Sequence, residues 1–160
     1  MRLGIMSDSH GDTQAIDKAL QLAGKIDHWL HAGDCIPDAE YLQVAADVPV
    51  TMAAGNCDWP GGNAPGEVLL ELGGHRIFLT HGHLYGVRYT TEALQEAAAE
   101  RGAELAVYGH THIADITPGN VLVLNPGSVS RPRDESRGSF LVVDLLAGVS
   151  PKVQLLRMKI

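Results

Sequence analysis

Gly109-His110-Thr111-His112 sets two imidazoles two residues apart behind a glycine, directly after the apolar run Leu105-Ala106-Val107. Neutral imidazole is a common ligand for transition metals. In an extended backbone a spacing of two points both rings to one side, where each could hold an ion. Taken alone, the pair reads equally as two surface histidines in a polar turn. More ligand-type residues recur in similar settings: Asp8 and His10 in Ser7-Asp8-Ser9-His10-Gly11-Asp12, Asp34 after Gly33, Asn56 after Gly55, and His81 in Thr80-His81-Gly82-His83. Each has a bland reading too, since Asp8 could cap a helix and Asp34 or Asn56 could serve a turn. Together they make seven oxygen and nitrogen donors, the set a pair of divalent cations would use. One shared carboxylate could hold the ions about 3.5 Å apart, the spacing of two-metal hydrolases.

The elements that must position these donors read as follows. Residues 2–6 form a strand, 13–24 an amphipathic helix with Asp12 as N-cap and Gly24 as its stop, and 27–31 a second strand. A helix over 38–46 and a strand over 48–53 come next, so the first third is strand–loop–helix repeated, the pattern of parallel strands with helical crossovers. After a Pro- and Gly-rich loop at 59–66, the runs 67–72 and 75–80 meet at Gly73-Gly74 as a hairpin. A helix over about 90–101, a strand over 105–108, strands near 113–117 and 120–124, and β runs at 138–144 and 152–159 complete the chain. Every donor then falls at a strand end, and loops at the carboxyl ends of parallel strands converge on one edge. The pattern predicts an α/β fold with two sheets packed face to face and helices outside.

The 160 residues fit one domain, 1–160, large enough for a real core. The net charge of −7 argues against stable nucleic-acid binding, and no apolar run approaches a membrane span. The opening Met1-Arg2-Leu3-Gly4-Ile5-Met6 has no signal-peptide layout, and Cys35 and Cys57 are the only cysteines. A reducing, cytoplasmic setting with free thiols is the expectation. Both cysteines directly follow a candidate ligand, so oxidation to a disulfide would distort the site.

The ordered set Asp8-x-His10, Gly33-Asp34, Gly55-Asn56-x-Asp58, a Gly-His at the hairpin end and Gly109-His110-Thr111-His112 resembles the calcineurin-like metallophosphoesterases. The short length, Asn56-Cys57-Asp58 and the segment Asn125-Pro126-Gly127-Ser128-Val129-Ser130-Arg131-Pro132 are similar to the small YfcE-like phosphodiesterase branch. That branch shares its fold with a eukaryotic retromer subunit. The resemblance implies a four-layer α/β/β/α sandwich, two mixed sheets flanked by helices, with a dinuclear metal centre at one edge. It implies that Asp8, His10 and His112 hold one ion, that Asn56, His81 and His110 hold the other, and that Asp34 bridges them. A bridging hydroxide would attack phosphorus, with Asn56 helping to neutralise the phosphoryl oxygens. Manganese heads the expected metals, with nickel, zinc and iron as alternatives.

Many members of the family carry histidine where Cys57 stands, oriented by the acid at 58 and assisting the leaving group. A thiol is a poorer donor, so a preference for activated phosphodiesters is expected. His83, two residues from His81, is a further candidate beside the substrate, and Arg131 and Arg133 could meet a phosphate. The substrate expected is a small phosphodiester or nucleotide. The alternatives are a nucleotide-anhydride hydrolase, acting for example on dinucleoside polyphosphates, and a weakly active interaction module of the same fold. An exposed edge near the C-terminus could pair with a second copy to give a homodimer or larger homo-oligomer.

Overall fold

A computed structural model describes residues 1–135 and 137–159. The chain alternates β1 (Arg2–Met6), α1 (Thr13–Ala23), β2 (His28–His31), α2 (Ile36–Ala46) and β3 (Val50–Met52). The hairpin β4 (Glu67–Leu72) and β5 (His75–Thr80) follows, then α3 (Glu92–Glu100), β6 (Leu105–Val107), β7 (Ala114–Thr117), β8 (Leu122–Pro126), β9 (Ser139–Leu146) and β10 (Val149–Arg157). Two five-stranded sheets result, ordered β10-β9-β1-β2-β3 and β4-β5-β6-β8-β7. In the first, β1, β2 and β3 run parallel and β9 and β10 antiparallel to their neighbours. In the second, β5, β6 and β8 run parallel between antiparallel edges β4 and β7.

Three apolar clusters hold the layers. Leu3, Ile5, Leu30, Ile77, Leu79, Leu105, Val107, Leu124, Leu141 and Val143 fill the space between the sheets. Ile16, Ala19 and Ala23 of α1, with Leu42 of α2, pack on Trp29, Phe140 and Val142 on one outer face. Leu94, Ala97 and Ala98 of α3 pack on Phe78, Ala106 and Val123 on the other. Burial alternates between the inner and outer clusters along β5, β6 and β9 because successive side chains face opposite sides. This is the expected four-layer α/β/β/α sandwich.

Several boundaries differ from the sequence reading, with β3 covering only Val50–Met52 rather than 48–53 and β8 running Leu122–Pro126 rather than 120–124. Helix α2 starts at Ile36 rather than at 38, with Pro37 in its first turn. Its first amides are capped from a distance, since the Asp58 carboxylate accepts from the N–H groups of Cys35 and Ile36 at 3.1 and 2.8 Å. Strand β10 starts at Val149, and the pairing with β9 shifts between Val149 and Lys152. Pro151 is tolerated there because the strand is at the sheet edge and bulged. After β5 the chain turns through Gly82, at φ 98°, into a single 3-10 turn at His83–Tyr85.

Candidate metal centre

All seven candidate ligands stand at the carboxyl ends of the parallel strands, after β1, β2, β3, β5 and β6. Five of them have left-handed backbones: Asp8, His10, Asp34, His110 and His112, at φ 55, 47, 57, 69 and 60°. Asp and His tolerate this region better than most residues, yet each such residue costs on the order of 1–3 kcal/mol and persists where its surroundings fix it. The neighbouring glycines serve close approach. A Cβ on Gly55 would overlap the Asp34 carboxylate, and one on Gly109 would overlap Ser7 Oγ.

The left-handed φ values also correct the reading of Gly-His-Thr-His as extended. The chain bends twice, and the two rings part. His112 turns to Asp8 and His10, its Nε2 3.1 Å from Asp8 Oδ1 and 3.2 Å from His10 Nε2. His110 turns to Asn56, with Nδ1 2.9 Å from Oδ1. Thr111 Oγ1 accepts from the buried Asn125 side chain, which also donates to the Gly109 carbonyl.

Asp8, His10, Asp34 and His112 offer ligand atoms all within 4.8 Å of one another. Asp8 Oδ2 accepts from Ser7 Oγ and the His110 amide, which leaves Oδ1 for the centre. His112 donates from Nδ1 to the Arg131 carbonyl at 2.8 Å, so its Nε2 lone pair faces Asp8. His81 likewise donates from Nδ1 to the Ala32 carbonyl at 2.7 Å and faces the carboxylates through Nε2. Asp34 Oδ1 accepts from the Cys57 amide, while Oδ2 lies 3.8 Å from His10 Nε2 and 3.3 Å from His81 Nε2. One carboxylate oxygen therefore faces both groups of donors.

The donor set fits cations. Asp8 Oδ1 and His81 Nε2 are buried, lack hydrogen-bond partners and face each other at 3.9 Å. Electron-pair donors buried in this way are costly unless positive charge stands among them. The proton affinities agree. Burial favours neutral His81, yet Asp34 and Asp8 outweigh it and raise its pKa, so the pocket favours positive charge at Nε2. Burial also pushes the Asp34 carboxyl upward, but His81 and the Cys57 amide hold it well below the usual carboxylate range. His110 is driven down to about 4 by burial, then by His81 and Arg88, which leaves it a neutral imidazole.

Beside these donors opens a cleft of about 430 Å³, lined also by Cys57, Arg88, Arg131, Pro132 and Arg133. A larger hollow of about 660 Å³ opens at the other end of the sandwich, between His75, Ile116 and Val149, away from all seven donors. Polarity and convergent ligands, rather than size, mark the first as the site. Asp58 has different work from that expected. Its two oxygens accept from the amides of Asp34, Cys35, Ile36 and Gly55, so it clamps two ligand loops together and caps α2. It has no oxygen left over to orient a side chain at 57. His83 sits in the 3-10 turn with its ring 5.5 Å from that of His81 and its Nδ1 buried and unpartnered. Arg88 and His31 were not read from the sequence as parts of this edge, because no spacing rule connects them to it, and Asn125 entered only as part of a resembling segment, with no role given to its side chain.

Residues 1–148 match the family model of the calcineurin-like phosphoesterase superfamily domain. The chain belongs to that superfamily. It is 35% identical over 152 residues to the probable metallophosphoesterase YsnB of Bacillus subtilis, covering 91% of this chain and 85% of that protein. It is 32% identical over 171 residues to the phosphodiesterase YfcE of Escherichia coli, covering 90% and 88%. A predicted phosphoesterase from Streptococcus pneumoniae superposes with a TM-score of 0.81 at 32% identity, covering 98% of this chain and 88% of that one. In this member of the superfamily, the seven candidate ligands and the cleft arginines occupy the same edge. Among the described residues no helix is long and apolar enough to cross a membrane.

Proposed function

We propose that the protein is a metal-dependent phosphodiesterase with a dinuclear centre. Asp8, His10 and His112 would hold one divalent ion, Asn56, His81 and His110 would hold the other, and Asp34 would be shared between the two groups. The observation that carries this is the single Asp34 oxygen facing His10 on one side and His81 on the other. Manganese is the first choice of metal, with nickel, zinc and iron as alternatives. Two such ions supply Lewis acidity and a water acidic enough to attack phosphorus at neutral pH.

The chain's own groups do the rest. The carbonyls of Ala32 and Arg131 fix the tautomers of His81 and His112. Arg88, Arg131 and Arg133 give the cleft wall three guanidinium groups with no carboxylate within salt-bridge range among the described residues. They would receive phosphoryl oxygens and hold the ester in line. Burial, then Asp34, pushes the Cys57 thiol up, so it stays protonated and serves as a weak donor rather than a nucleophile. The small polar cleft suits a phosphodiester or nucleotide, in a cytoplasmic setting. The three arginines also favour a second reading, hydrolysis of a nucleotide anhydride, which brings more negative charge.

The test is hydrolysis of bis(aryl) phosphate, aryl monophosphate and a dinucleoside polyphosphate by chelator-stripped protein with manganese, nickel or zinc restored. The diester is expected to be the best substrate. Asp34→Asn is expected to lose roughly a thousandfold or more. Full activity in that variant, or in chelator, would remove the two-ion reading, and a polyphosphate preference would select the second one.

A further inference from the structure

Arg88 follows the 3-10 turn and is exposed at the cleft wall. Its Nε–H donates to Nε2 of His110 at 3.0 Å, while its terminal nitrogens make no protein hydrogen bond among the described residues. A neutral imidazole carries one N–H and one lone pair. With Nε2 accepting from Arg88, the proton is on Nδ1, where it donates to Asn56 Oδ1 at 2.9 Å.

That arrangement and a metal ion on His110 exclude each other. If the ion binds at Nδ1, beside Asn56, the proton moves through solvent to Nε2, which then faces Arg88 as a second donor. If the ion binds at Nε2, the lone pair that Arg88 used is consumed. Whichever nitrogen is chosen, Nε2 ceases to accept and the guanidinium loses its resting place.

We propose that Arg88 is a phosphate clamp held in reserve, parked on His110 until that imidazole takes its metal ion and then released to the phosphoryl oxygens of the substrate. Released beside Arg131 and Arg133, its planar fork can engage two oxygens at once. Substrate binding thereby depends on the second ion through His110. This rests on the dinuclear reading of the site and adds to it an order of events, with Arg88 available to substrate only after His110 has taken its ion. It also predicts opposite signs for removing Arg88: weaker phosphate binding, and second-ion binding as tight as before or tighter.

The experiment uses the full chain, inorganic phosphate as the probe, and the variants Arg88→Gln and Arg88→Lys. Titration calorimetry with manganese gives the number and affinity of ions, and phosphate is then titrated into the loaded protein. Zinc-loaded and metal-free samples are compared by nitrogen-15 spectra of the histidine rings. Two ions are expected in all three proteins. Phosphate affinity is expected to fall roughly 10- to 100-fold in Arg88→Gln, with part of the loss restored by Arg88→Lys. In the wild type the proton of His110 should move from Nδ1 to Nε2, or stay on Nδ1 with Nε2 bound to zinc. Equal phosphate affinity in Arg88→Gln with two ions bound would overturn the clamp. So would loss of the second ion in that variant, which would make Arg88 a prop for His110. Fewer than two ions in the wild type would instead overturn the dinuclear reading, and the clamp with it.

Discussion

The two halves of the candidate centre are built to different standards. Around Asp8 and His112 the orientations are set by neighbouring groups, and the His10 ring lies against His112, Nε2 to Nε2 at 3.2 Å. Ser7 and the His110 amide hold one Asp8 oxygen, Ser128 and Ser130 hold the Asp8 carbonyl, and the Arg131 carbonyl holds His112. Around Asn56, His81 and His110, only His81 is comparably fixed. Asn56 is exposed, and His110 is shared between Asn56 and Arg88. A ligand already in place loses little freedom on binding, whereas one that must first let go of a partner subtracts from the affinity. On the proposed two-ion reading, the first half would be preorganised and the second would be assembled as its ion arrived.

The largest expected effect breaks that comparison directly. Manganese titrated into chelator-stripped protein should bind in two phases, roughly 10- to 100-fold apart in affinity. His112→Asn should remove the tight phase, and His110→Asn the weak one. Two equal phases, or loss of the same phase in both variants, would show that the halves are equivalent.

A somewhat smaller effect concerns the support beneath both halves. His31 is fully buried, accepts from the Gly33 amide through Nδ1 at 3.2 Å and lies 3.0 Å from Ser9 Oγ through Nε2. It thus joins the loop of His10 to the loop of Asp34. Burial, opposed by Asp8 and Asp38, drives its pKa from 6.5 to about 4. Between those values the unfolded chain takes up a proton that the folded one refuses, so stability falls as pH falls from 6.5 towards 4. The component is on the order of 3 kcal/mol at pH 4. Denaturant melts of the metal-free protein at pH 7 and pH 4.5 should show a smaller difference for His31→Gln than for wild type. Parallel curves would mean that His31 is protonated in place.

Most of the scaffold was legible because it rests on local rules. Continuous apolar runs, Ile77-Phe78-Leu79 and Phe140-Leu141-Val142-Val143, mark β5 and β9, Asp12 caps α1 by accepting from the Ala15 amide, and Gly73-Gly74 turns the hairpin. The candidate donors were legible as a set because ligand-type residues recur at strand ends, although the sequence reading gave His110 and His112 an extended backbone that their φ values contradict. What local rules miss is work done across the chain. Asp58 caps a helix that starts 22 residues before it, and Asn125 holds a turn 14 to 16 residues away. Arg88 reaches His110 over 22 residues. Such partners are chosen by tertiary approach, and neither spacing nor propensity records it.

The smallest expected effect sharpens the comparison at the looser half. Cys57 is at the cleft wall next to Asn56, its amide tied to Asp34 and its thiol kept protonated by burial and by the nearby carboxylates. A neutral thiol donates weakly, so leaving groups that depart without a proton are favoured. Imidazole at this position could donate in the transition state. However, Asp58 is already committed to four amides and would not orient it. Cys57→His is therefore expected to raise turnover of cyclic nucleotides by up to about tenfold, the low end for general acid catalysis. Bis(aryl) phosphate should change by no more than about twofold, since its leaving group needs no proton. Identical profiles for the two proteins would reduce position 57 to packing. A gain of a hundredfold or more would mean that the new ring finds an orienting partner in the looser half after all.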